Sequence, residues 1–161
     1  MEFVEMEEDK QLAKIRLTAM NMLTYREYSR LELTEKLNLK FDQSPLIEQA
    51  VSQLVKENLQ SDQRFSEAFV RSRVARGQGE IRIRMELCER GIDKAMANQT
   101  INQCEVDWFA LAKDVTKNKY GGELATDNRQ KAKRMRFLQY RGFTYEQINY
   151  AVANSDTHTW P

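Results

Sequence analysis

Apolar residues along this chain recur at helical spacing. Leu12, Ile15, Ala19 and Met22 follow an i, i+3, i+4 rule, as do Phe65, Phe69, Ser72 and Ala75, then Leu111, Ala112 and Val115. Helix starts are marked as well. Ser29 with Glu32 and Thr144 with Gln147 read as capping boxes, and Ser44-Pro45 as an N-cap followed by the first helical residue. Gly91 and Gly142 read as residues just past helix ends. One stretch is ambiguous. "EIRIRMEL", from Glu80 to Leu87, alternates polar and apolar like a half-buried strand. A strand there would need a partner, and no second segment is convincingly strand-like. The segment Glu80 to Arg90 is therefore predicted as a helix. On it Ile81, Ile83, Met85, Leu87 and Cys88 form one broad apolar arc, which places Cys88 in the core.

The two glycines expose a repeat. "ERGIDKAMANQTI" (Glu89 to Ile101) aligns without a gap on "YRGFTYEQINYAV" (Tyr140 to Val152), 51 residues later. Leu87 meets Leu138, and a weaker copy matches Leu31, Leu33 and Leu37 to Ile81, Ile83 and Leu87. Each copy reads as three helices, with units near 10–60, 61–106 and 107–154. An acidic, mobile start occupies 1–9 and a mobile tail 155–161. A unit of about 50 residues is too small to be stable comfortably alone, so neighbours should stack. The expected fold is all-α: three tandem three-helix repeats in an elongated monomer.

Composition narrows the function. Two prolines and six glycines in 161 residues favour helix. No apolar run approaches the length of a membrane span, and no signal peptide is visible, so a cytoplasmic protein with reduced Cys88 and Cys104 is expected. His158 is the only histidine, which leaves no histidine triad and no His-rich metal site. Gly77-x-Gly79 lacks the third glycine and the Lys-Ser/Thr of a phosphate loop. No enzyme, metal or cofactor is expected.

The net charge of +1 hides an asymmetry. Glu2, Glu5, Glu7, Glu8 and Asp9 crowd the start, whereas Arg129, Lys131, Lys133, Arg134, Arg136 and Arg141 fall in one segment without an acid. On a helix Arg129, Lys133 and Arg136 lie within about 60° of one another, with Phe137 and Tyr140 on the same side. Bases interleaved with aromatics suit a phosphate backbone or an acidic protein groove; a solvated face is the plain alternative. A second basic stretch runs through Arg71, Arg73, Arg76, Arg82, Arg84 and Arg90. Arg82 and Glu86 are placed for an i, i+4 pair. Arg84 falls inside the apolar arc, so it snorkels, pairs with an acid of a neighbouring helix, or serves a partner.

Several spaced motifs resemble one family. "RFSEAFVRSRVARGQGEIRIRMELCERGI" (Arg64 to Ile92) is similar to the central signature of the RecX recombination regulators: an Arg-Phe pair opening a helix, an aromatic four residues on, a Gly-x-Gly turn, then Arg-Ile, Glu-Leu and a basic-Gly-Ile ending. "DWFALAKDVTKNKYG" and "KAKRMRFLQYRGF" also look like that family's proteobacterial branch. The resemblance implies three three-helix repeats in an elongated, curved body held by Phe65, Phe69, Gly77, Gly79, Ile83, Leu87, Gly91, Ile92, Trp108, Leu138 and Gly142. It implies a non-enzymatic regulator that binds the RecA recombinase and lodges along the groove of its DNA filament. Such a regulator restrains filament growth, strand exchange, ATP hydrolysis and co-protease activity, and so recombination, DNA repair and the SOS response. The two basic stretches become the candidate contacts. In the first unit "KLNLKFDQSP" replaces the family's basic-glycine ending of the middle helix. A direct DNA-binding helical module acting without RecA, or a scaffold for an unrelated protein, would use the same features.

Overall fold

The computed structural model describes residues 1–153, and among them nine helices and no strand. They are α1 (Glu2–Tyr25), α2 (Arg30–Lys40), α3 (Leu46–Lys56), α4 (Asp62–Ala75), α5 (Glu80–Glu89), α6 (Lys94–Gln103), α7 (Trp108–Tyr120), α8 (Asn128–Arg141) and α9 (Tyr145–Ala153). The alternating stretch is thus helix α5, with Arg90 as its C-cap. Both capping boxes form. Ser29 Oγ accepts from the Glu32 amide while Glu32 accepts from the Ser29 amide, and Thr144 and Gln147 exchange the same pair of bonds. The tail from 155 and the last residue of the third unit, Asn154, lie outside the described residues.

Each helical trio encloses its own core. Ile15, Leu33, Leu37 and Leu54 fill the first, Phe65, Phe69, Ile83 and Leu87 the second, Leu138, Phe143 and Ile148 the third. Leu37, Leu87 and Leu138, equivalent in the repeat, are each 0% exposed. In the first unit Arg16 and Gln53 bond to Glu57 and hold its carboxyl below the ordinary value. That stabilisation is present above the ordinary carboxylate range and is lost as pH falls through the lowered pKa.

Residues 2–9 are the first turns of α1, as a run without Gly or Pro and with acids at a helix N-terminus allows. Two expectations are corrected. Cys88 is exposed, as are Ile81 and Met85. Only Ile83 and Leu87 of the apolar arc reach the core, because so small a bundle has room for one narrow stripe. Ser72 and Ala75 also face outward.

The units join through backbone. Gly79 caps α5 without a side chain, and the Gly79 and Ile81 amides donate to the carbonyls of Arg141 and Gly142, at 2.8 and 3.0 Å. The N-terminus of α5 thereby satisfies the C-terminus of α8, dipole against dipole. A Cβ on Gly142 would lie 2.3 Å from Arg82 Cβ. The preceding junction repeats the contact, with Gly91 against Leu31 Cβ. Trp108, the first residue of α7, packs on the second core and ties the third unit to it.

The 19.0 kDa chain exposes 10476 Å², against about 8,400 Å² for a compact monomer of that mass. Three small cores in series and the exposed start of α1 contribute to the excess. Small-angle scattering on dilute protein should therefore return a radius of gyration clearly above the ~15 Å of a compact chain of this length. A value at 15 Å would contradict the stacked arrangement.

Candidate anion-binding faces of the second and third units

The second unit's arginines divide by what holds them. Arg73 and Arg82 share Glu86: Arg82 Nε donates to one oxygen at 2.9 Å, and Arg73 Nε lies 3.3 Å from the other, off hydrogen-bond geometry. Arg90 reaches Glu32 of the first unit at 3.7 Å and donates to the Glu86 carbonyl. Phe69 carries the Arg73 and Arg90 guanidiniums on its ring, at 4.6 and 4.7 Å from the centroid. Burial pushes the Arg73 guanidinium below its ordinary pKa; Glu86 opposes this, and Arg76, Arg90 and Arg82 add to it. Arg73, Arg76 and Arg90 line a cleft of about 340 Å³ between the first and second units, with Arg26 on its far wall. Arg26 pairs with Glu32 and covers Tyr28. Glu32 and Glu86 are the residues that charge counting misses. Each anchors two arginines, and only the i, i+4 spacing of Glu86 to Arg82 hints at it.

Arg71 and Arg76 are exposed, and no acid pairs with either among the described residues. Arg84 is half-buried. Its Nε is shut from water without a hydrogen-bond partner, and no neighbouring acid meets it. Of the three options for Arg84, pairing inside the fold is the one the structure removes.

In the third unit Arg129, Lys131, Lys133 and Arg136 stand exposed on α8 with no acid paired to them among the described residues. Tyr140, 76% exposed, lies on the same face, and Arg82 reaches over its ring at 5.3 Å from the second unit. The two basic stretches therefore meet at the α5–α8 junction. Phe137 is half-buried instead, edge-on to Tyr120. Arg141 donates to the Arg76 carbonyl at 2.7 Å and serves the junction. Arg134 differs most from the expected basic edge. It is 6% exposed, donates to the Glu123 carbonyl at 2.8 Å and covers Tyr120, so it pins the loop between α7 and α8.

Two family models match the chain: RecX, second three-helix domain, over residues 61–101, and RecX, third three-helix domain, over residues 105–152. The Regulatory protein RecX of Pseudomonas entomophila (strain L48) is 40% identical over 144 residues, 89% of this chain and 93% of its own length. The chain belongs to the RecX family. A second relative, the Regulatory protein RecX of Pseudomonas fluorescens (strain SBW25), is 39% identical over 145 residues, 90% of this chain and 94% of its own. The crystal structure of RecX from Lactobacillus salivarius shares the fold at a TM-score of 0.76 and 22% identity, covering 92% of this chain and 98% of that one. A crystal structure of another regulatory protein RecX does so at 0.79 and 18%, over 94% and 76%. The chain is thus a RecX-type regulatory protein. No helix among the described residues is long and apolar enough to cross a membrane, and no group of side chains there could hold a metal.

Proposed function

We propose that this protein binds the RecA recombinase and its DNA filament in the cytoplasm and inhibits filament growth. Strand exchange, ATP hydrolysis and co-protease activity fall with it, so recombination, repair and the SOS response are restrained without any catalysis by the regulator. The observation that carries the reading is the unpaired basic face of α8, continued across the unit junction by Arg82 over Tyr140. A filament groove offers DNA phosphates and acidic protein side by side, and an elongated body can span more than one subunit, which raises affinity by multivalency. Arg71, Arg76 and Arg84, with no acid paired to them among the described residues, are further candidate contacts, whereas Arg73 and Arg90 are held by Glu86 and Glu32, and Arg134 and Arg141 by the carbonyls of Glu123 and Arg76.

A pull-down against RecA, with and without DNA and across salt, tests the reading. Capture of RecA without DNA is expected. Salt-sensitive capture of DNA alone would instead favour a direct DNA-binding module, for which Tyr140 offers a stacking surface.

Arg84 gives a sharper check. With its Nε unpartnered, Arg84→Ala should change stability by less than about 1 kcal/mol, since no ion pair is broken. Inhibition of RecA by the same variant should weaken. A large fall in melting temperature would show that the Arg84 stem is a packing element, and unchanged inhibition would remove it from the contact set.

A further inference from the structure

The first turns of α1 have nothing to pack on in their own unit. Every residue from Met1 to Lys10 is exposed, and five of the ten are acids. Contact with the first core begins at Leu12, so about 13 Å of helix projects from the body. Phe3 and Met6, one turn apart, are 76% and 58% exposed on it.

The third unit presents the complement. Arg129, Lys131, Lys133 and Arg136 lack acidic partners among the described residues. Beside them runs an apolar groove of about 540 Å³, lined by Ile81, Met135, Gln139, Phe143, Tyr145 and Ile148. Around the circumference of α8, Met135 and Gln139 lie between Lys131 and Arg136, so the bases flank the groove.

We propose that the α1 overhang of one copy docks on the third unit of a second copy, its acids against these bases and Phe3 and Met6 in the groove. A chain's own third unit is an unsuitable target. The second unit stands between, and no hydrogen bond or ion pair among the described residues joins the first unit to the third. Contact between two different patches is heterologous, so copies add head to tail, and association grows with concentration. The consequence for regulation rests on the proposed function: if the α8 face serves the filament, the overhang covers the same bases, and self-association competes with filament binding.

Sedimentation equilibrium on the full chain tests the docking without RecA. At low salt the average mass should rise above 19.0 kDa with concentration. It should return to the monomer value near 0.5 M salt, where charges are screened within a few ångströms. Reversing charge beside the apolar pair of the overhang (Glu2, Glu7 and Asp9→Lys) or at the edges of the groove (Lys131 and Arg136→Glu) should weaken association at least tenfold. Mixing the two variants should restore it, because the signs match again. A parent that stays monomeric at low salt up to about 1 mM, or an overhang variant that associates as the parent does, overturns the docking. Failure here leaves the filament reading intact, and failure of RecA capture leaves the docking intact.

Discussion

Gly142→Ala is expected to lower stability by about 3 kcal/mol or more, and to loosen the third unit from the second. Two independent effects combine. Gly142 sits at φ +99°, where a residue with a Cβ is strained by about 1–3 kcal/mol. The added Cβ would also lie 2.3 Å from Arg82 Cβ and 2.7 Å from the Arg82 amide nitrogen. Those atoms belong to the first turn of α5, held in place by the bonds from the Gly79 and Ile81 amides to α8. To admit the methyl group α5 must withdraw, and each bond lost costs about 1 kcal/mol. Gly121→Ala separates the two effects. Gly121 has φ +80° and ψ −174°, a region essentially restricted to glycine, but nothing within 4 Å of its Cβ position, so backbone strain alone should appear, at about 1–3 kcal/mol. Urea unfolding of both variants, followed by helix signal, makes the comparison. Equal losses would mean that the junction yields and the close approach is not needed.

The junction also shows what a sequence can and cannot convey. Gly91 and Gly142 are legible as helix ends, and the 51-residue displacement makes them equivalent. Their second role, letting the middle helix of the preceding unit approach, is invisible until α5 is placed against α2 and α8 against α5. Capping boxes are legible because their partners are three residues apart. Exposure is harder. A broad apolar arc suggests that Ile81, Met85 and Cys88 lie inside, but in a three-helix unit only the stripe through Ile83 and Leu87 reaches the core. Arg134 was within reach of sequence reasoning. The displacement that aligns Leu87 with Leu138 also sets Arg134 on Ile83, a core position at 0% exposure. At this position charge and register conflict, and the fold follows register. Its partner, the Glu123 carbonyl, carries no side-chain signal and could not be foreseen.

Removing the three repelling bases of α8 should give the largest functional loss. Arg129, Lys133 and Arg136 occupy one exposed face, without acids to offset them among the described residues. In the free protein the i, i+3 and i, i+4 repulsions cost roughly 0.2–0.5 kcal/mol each. Arg129, Lys133 and Arg136→Gln therefore should preserve helix content, since Gln is a comparable helix former, and the melting temperature should hold or rise slightly. Binding is where the loss should fall. If the three bases each neutralise a phosphate, the slope of log affinity against log salt should become shallower by about 2–3, and affinity for the RecA–DNA filament should fall at least about tenfold at moderate salt. Contacts to acidic protein would screen over a similar range but release no condensed counterions, so a loss of affinity with a smaller change of slope would assign the face to RecA itself. Titrations at nanomolar regulator, where copies do not meet, and at several salt concentrations decide between these outcomes. A variant that binds like the parent at every salt would reduce the α8 face to a solvated surface and withdraw it from the filament contact.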